Sequence, residues 1–306
     1  MKQQHAGALL VAASAAGFAT LAIFIKFAYA AGANTITILA GRFILASFCL
    51  AFILKRRGIP LIVEKELMKR LFLMGGLGYG SMSMLFALSI QYLPASLAAM
   101  LLYTYPALVS VLSFLIGDEQ YSWEKGLALA ICFSGLFLVL GVSIENISML
   151  GCALGLGASI VYSVYIVIGN RLLKNVDSMV TTTHVCISAA IVFVVAGVAT
   201  NSLIFSLPLS GWLAIIGIAL LPTIVGIMGF FAGMRLVGAT NASIISTMEP
   251  VITVLLSVVL LNETITPLQV GGGVLILSGI LILQLWAGKR TETGGECLLK
   301  AEERQS

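Results

Sequence analysis

Glu249 is followed at once by Pro250 inside an apolar run, and 144 residues earlier Tyr105 is followed by Pro106 inside another. Each pair carries chemistry that a plain apolar helix does not need. A charge held in hydrocarbon costs on the order of 2.5–3.5 kcal/mol, so Glu249 requires a proton, a partner or a ligand. Proline has no backbone N–H, so Pro250 leaves the carbonyl of Ser246 without its helical partner, and Pro106 does the same for Leu102. Interruptions at corresponding places of two apolar segments point to the binding site of a transporter. One reading puts Glu249 and Tyr105 opposite each other in a central cavity. The other makes the prolines packing kinks and Glu249 the partner of a buried base.

Two bases stand within apolar runs and could serve either reading. Arg42 offers a planar fork of donors suited to a carboxylate; it could equally pair with Glu249 or cap the carbonyls that the prolines free. Lys26 is closer to the end of its run, where its ammonium can reach the interface, and it remains a candidate for contact with a substrate. Tyr79 and Tyr103, with Met82 and Met84, are candidates to line a path, because a phenol combines an apolar face with a polar tip. Gly76 with Gly80 and Gly229 with Gly233 stand four apart, which permits close helix contact. His184 reads as interfacial.

No catalytic constellation accompanies these residues. The chain has two histidines and contains no HExxH, GxSxG or Walker motif. Its five cysteines show no CxxC spacing and read as small buried hydrophobes. The expectation is a non-enzyme with no catalytic residues, no metal and no cofactor. Lacking a nucleotide-binding loop, active transport would draw on a proton or solute gradient, and Glu249 is the group through which protons could couple.

The elements that must position these side chains follow from composition. Hydrophobic residues make up 59% and charged residues 10% of 306 residues, and mean hydropathy is +1.08, where soluble domains have roughly 45–50% and 25%. Too little polar surface exists to clothe a water-soluble globule, which excludes a soluble enzyme, a nucleic-acid binder and a disordered regulator. The expectation is an all-α polytopic protein whose solvent is the lipid bilayer. A hydrocarbon core ~30 Å thick takes about 20 residues of helix. Ten segments qualify, at about 7–30, 35–54, 71–91, 94–116, 126–143, 149–168, 179–199, 210–234, 240–261 and 268–287, followed by a polar tail over 288–306. Ala28-Tyr29-Ala30 imitates a signal-peptide cleavage site, but the preceding apolar run is too long for one.

Charge sets the orientation. With the N-terminus in the cytoplasm and ten crossings, fifteen of the 17 lysines and arginines fall on the cytoplasmic side and none in the outer loops; Lys26 and Arg42 are the other two. Such a split is a strong positive-inside signal. It places the chain in the inner or plasma membrane with both termini cytoplasmic.

An offset of 144 also aligns the two halves without gaps. Gly7 meets Gly151, Phe86 meets Phe230, Pro106 meets Pro250, Glu119 meets Glu263, and Ser134-Gly135 meets Ser278-Gly279. Residues 7–142 and 151–287 then form two repeats of five helices. An odd number of helices turns the second repeat upside down, the 5+5 inverted arrangement of secondary transporters.

At these positions the chain resembles the EamA branch of the drug/metabolite transporter superfamily. The resemblance is carried by Gly41-Arg42-Phe43-Ile44-Leu45-Ala46, by Tyr103-Thr104-Tyr105-Pro106 running to Gly117-Asp118-Glu119, and by Met248-Glu249-Pro250 running to Asn262-Glu263. The second half keeps the family's Glu-x-x-Thr-x-x-Gln as Glu263, Thr266 and Gln269, whereas the first reads Glu119, Ser122 and Lys125. The resemblance implies ten helices and transport or export of a small-molecule substrate, with amino acids first. Nucleotide sugars or lipid-linked carriers on the same scaffold are the alternative, and a non-transporting membrane subunit is the rival of a different class.

Overall fold

The computed structural model describes residues 2–117, 122–141, 148–172 and 176–303, and every regular element among them is helical. Glu119 and Lys174 lie outside the described residues. Ten helical segments follow one another: α1 (Gln3–Ala30), α2 (Thr35–Arg56), α3 (Lys65–Tyr92), α4 (Ala95–Leu115), α5 (Trp123–Gly141), α6 (Met149–Gly169), α7 (Ser178–Ala199), α8 (Leu209–Val237), α9 (Asn241–Leu261) and α10 (Pro267–Leu285). Nine of these are long and apolar enough to cross a membrane, and α5, of 19 residues, completes the set. The helix of α10 continues as far as Glu303, so the polar tail extends the last span and does not begin as a loop. Likewise α3 starts at Lys65, before the apolar run, and Glu66 and Arg70 form an exposed i,i+4 pair there.

The packing partners reveal the symmetry. Helix α1 packs on α8 and α9, α6 on α3 and α4, α2 on α7, α4 on α9, and α5 on α10. Exchanging each helix for its counterpart five places on turns α1–α8 into α6–α3 and α1–α9 into α6–α4, and returns the other pairs to themselves. Individual atoms follow the same rule. A Cβ on Gly7 would fall 2.7 Å from Val237 Cγ1, and one on Gly151 would fall 2.7 Å from Leu93 Cγ. On Gly135 it would meet Gly272 O at 2.6 Å, and on Gly279 it would meet Ala128 O at the same distance. Glycine is required where backbones approach so closely. Two repeats packed by one pseudo-two-fold therefore build the molecule.

Four interruptions shape its centre, again in symmetric pairs. Helix α4 breaks into Ala95–Leu102 and Tyr105–Leu115, and the helix of α9, which begins two residues before the apolar span, into Ala239–Ser246 and Met248–Leu261. Leu102 and Ser246 are equivalent under the 144-residue offset, so the proline-directed breaks coincide. At each break a threonine hydroxyl donates back three residues, Thr104 to Leu101 O at 2.7 Å and Thr247 to Ile244 O at 2.6 Å. The other two interruptions depart from the expectation of plain helices. Both α3 and α8 widen into π-helical turns, at Met74–Tyr79 and Ala219–Val225. Glycines at 75, 76 and 78 loosen the first, and Pro222, which has no N–H to donate, forces the second. Thr223 Oγ1 fills part of that gap by donating to Ile218 O at 2.9 Å.

Candidate functional site

A cavity of about 350 Å³ lies where the broken and widened helices meet. Of the residues singled out by sequence, Glu249, Arg42, Tyr79, Tyr103, Tyr105 and Pro106 line it together. Pro250 instead faces a smaller apolar crevice of about 130 Å³, which shares Tyr103 with the cavity. Lys26 lines neither and lies within electrostatic reach of Glu263. Met82 joins the lining, whereas Met84 packs against the core. His184 is buried, not interfacial, and one ring nitrogen bonds Val180 O at 2.9 Å.

The helix breaks explain how Glu249 is held. It is the second residue of Met248–Leu261, in the first turn of that half-helix. Tyr105 is the first residue of Tyr105–Leu115. Two half-helix N-termini thus converge on the cavity, and their exposed N–H groups and dipoles favour negative charge. Tyr103 lines the same cavity beside Glu249. Among the described residues no ion pair joins Glu249 to a base.

Arg42 is 3% exposed and committed elsewhere. Its Nε donates to Thr223 Oγ1 at 3.1 Å and its Nη2 to Tyr79 Oη at 3.3 Å. Tyr79 and Thr223 are equivalent under the offset, and each belongs to a π-helical turn. One guanidinium therefore grips both turns from α2. Its own counterpart, Cys186, lines the same cavity beside it.

The remaining wall is aromatic. Tyr162 stands 4.7 Å from Tyr105 and stacks on Tyr165 at 6.0 Å, centroid to centroid, while Tyr165 lies 5.7 Å from Tyr79. Tyr103 and Tyr105 are 5.9 Å apart. Sequence reasoning missed Tyr162, Tyr165, Thr223 and Cys186. A signal for Tyr162 existed, because the offset pairs it with Phe18, and both prove to line the cavity.

The cavity is lopsided. Thr182, Ser243 and Ile280 line it, whereas their counterparts Ile38, Ala99 and Leu136 pack in or against the core. It therefore extends toward the molecular face that carries both termini.

Comparison with known proteins agrees with this architecture. The model of the EamA-like transporter family matches residues 5–141 and again 149–285. The chain is 24% identical over 305 residues to the uncharacterized transporter YcbK of Bacillus subtilis (strain 168), covering 95% of this chain and 97% of that one. It is 30% identical over 198 residues to the threonine/homoserine exporter RhtA of Escherichia coli (strain K12), covering 63% and 64%. One solved crystal structure superposes with a TM-score of 0.68 at 16% identity, over 92% of this chain and 98% of the other, which shows a shared fold.

Proposed function

The chain belongs to the EamA-like transporter family, and from that premise we propose that it is a secondary transporter moving a small zwitterionic metabolite, an amino acid first, by alternating access around the central cavity. The observation that carries this reading is the presence of Glu249 and Arg42 in one cavity without an ion pair between them. Glu249 is free to attract an ammonium group. The donors of Arg42 not engaged by Tyr79 and Thr223, together with the converging half-helix N-termini, favour a carboxylate. Tyrosine rings between them suit an aliphatic or hydroxylated side chain. The name of the Escherichia coli relative, an exporter of threonine and homoserine, supports the same class. The charge asymmetry of the loops supports cytoplasmic termini. On that orientation the cavity of this structure extends toward the cytoplasm, the side from which an exporter loads. Glu249 is also the group that would take up a proton when no ammonium is bound.

Thermal unfolding of the detergent-solubilised protein against a panel of amino acids tests the proposal. A ligand of the folded state raises the midpoint in proportion to ln(1 + [L]/Kd). A shift by one or more amino acids, followed by their exchange across proteoliposomes, is expected. No shift by any amino acid, with a shift by a nucleotide sugar, would replace this reading with its alternative.

A further inference from the structure

On the face opposite the termini, one carboxylate bridges the two repeats. Glu263, in the connection between α9 and α10, accepts from Ala95 N–H at 2.6 Å, Ser96 N–H at 3.1 Å and Ser96 Oγ–H at 2.6 Å. Those two residues begin the first half of α4, so the carboxylate caps N–H groups that the helix itself leaves unpaired. Its backbone is fixed by its own repeat. Asn262 takes a left-handed turn, φ 53°, and Glu263 N–H donates to Ser257 O at 3.2 Å.

The two half-helices so joined are the ones that carry the cavity. Ala95–Leu102 runs from the Glu263 contact to Tyr103 and Tyr105. Met248–Leu261 runs from Glu249 to the turn that presents Glu263. They pack against each other, and they belong to different repeats. Opening the cavity on this face requires them to part, and the Glu263 contact spans the line along which they would separate.

We propose that Glu263 is a positioning residue that holds the first half of α4 closed over the cavity, and that its release exposes the cavity to the face opposite the termini. The inference rests on the alternating-access reading but not on the substrate, because accessibility can be measured with none present.

The full-length protein in proteoliposomes, carrying Phe86→Cys as a reporter in the cavity wall nearest that face, is treated with a membrane-impermeant maleimide from that side, and the labelling of the same protein with Phe86 retained, through Cys186 and the other native cysteines, is subtracted. With Glu263 intact, labelling is expected to be slow. Glu263→Ala should raise its rate about tenfold, since bonds to a charged acceptor are among the stronger ones. Glu263→Gln, which keeps an acceptor but loses the charge, should fall between. Labelling of Ser243→Cys from the other side should slow in step, which a merely structural defect would not produce. An unchanged Phe86→Cys rate in folded Glu263→Ala protein overturns the proposal. Should that variant not fold, Ser96→Ala removes one of the three bonds; a rise of about threefold supports the proposal and an unchanged rate overturns it. Amino-acid binding with no change in labelling would fail this inference alone, and altered labelling with no amino-acid binding would fail the proposed function alone.

Discussion

Arg42 Nε donates to Thr223 Oγ1 over 3.1 Å, joining residues that are 181 apart in the chain and sit in opposite repeats. With the second bond to Tyr79, the side chain behaves as a tie between two matched π-helical turns before it can behave as a ligand. A buried guanidinium gripping two hydroxyls depends on its fork geometry, which an ammonium does not reproduce.

Arg42→Lys should therefore destabilise the protein almost as much as Arg42→Ala. A loss of about 2–4 kcal/mol is expected from two bonds to a charged donor. Thermal unfolding in detergent measures it. A lysine variant as stable as the parent would mean that charge, and not the fork, matters at this place.

For Glu249→Gln the expectation differs from that for a member of a buried ion pair. Removing one half of such a pair typically costs about 3–5 kcal/mol. Glu249 has no ionic partner among the described residues, so the substitution strands no charge, and stability should change by no more than about 1 kcal/mol. Binding of an amino acid should weaken at least about tenfold, and any proton-driven component of transport should vanish. Unaltered stability together with unaltered binding and transport would remove Glu249 from the site.

The orientation is tested by labelling at two exposed positions. Phe205 is 75% exposed, beyond the end of α7, and Arg57 follows α2. In intact cells, an impermeant maleimide should label Phe205→Cys and spare Arg57→Cys. The reverse pattern would invert the topology and with it the direction in which the cavity opens.

Close backbone approach makes a fourth expectation. A Cβ at Gly233 would meet Val11 Cγ2 at 2.5 Å and Gly7 O at 2.7 Å. Gly233→Val should wedge α1 from α8 and cost about 1–3 kcal/mol. At Gly271 nothing lies within 4 Å, so Gly271→Ala should be neutral or stabilising by about 0.5–1 kcal/mol through helix propensity. The pair of melting temperatures checks both, and equal effects would contradict the packing described.

Several features are legible in the sequence itself. Hydropathy marked the helices, because lipid demands long apolar runs, and Pro106 and Pro250 marked the breaks, because proline cannot continue the hydrogen-bond ladder. The two π-helical turns were not legible as such. Gly75-Gly76 and Pro222 are weak points of a helix, but which way a weak point yields depends on neighbours such as Val185, whose backbone would lie 2.7 Å from a Cβ on Gly75. The bonds of Arg42 were hidden for a related reason. Its partners come from both repeats, and nothing local to Gly41-Arg42-Phe43 identifies Thr223. Tyr162 and Tyr165 were overlooked because a tyrosine in an apolar helix looks like packing until the helix is rotated into place.

The tie made by Arg42 also bears on how such a molecule is inherited. A duplicated five-helix ancestor would have placed the same residue at both positions now held by Arg42 and Cys186. Two guanidiniums side by side near the pseudo-axis repel, and two thiols leave both hydroxyls without a donor. A homodimer of either half is thus disfavoured on opposite grounds. Only a pairing of unlike halves supplies one cation for two turns, so each half depends chemically on the other.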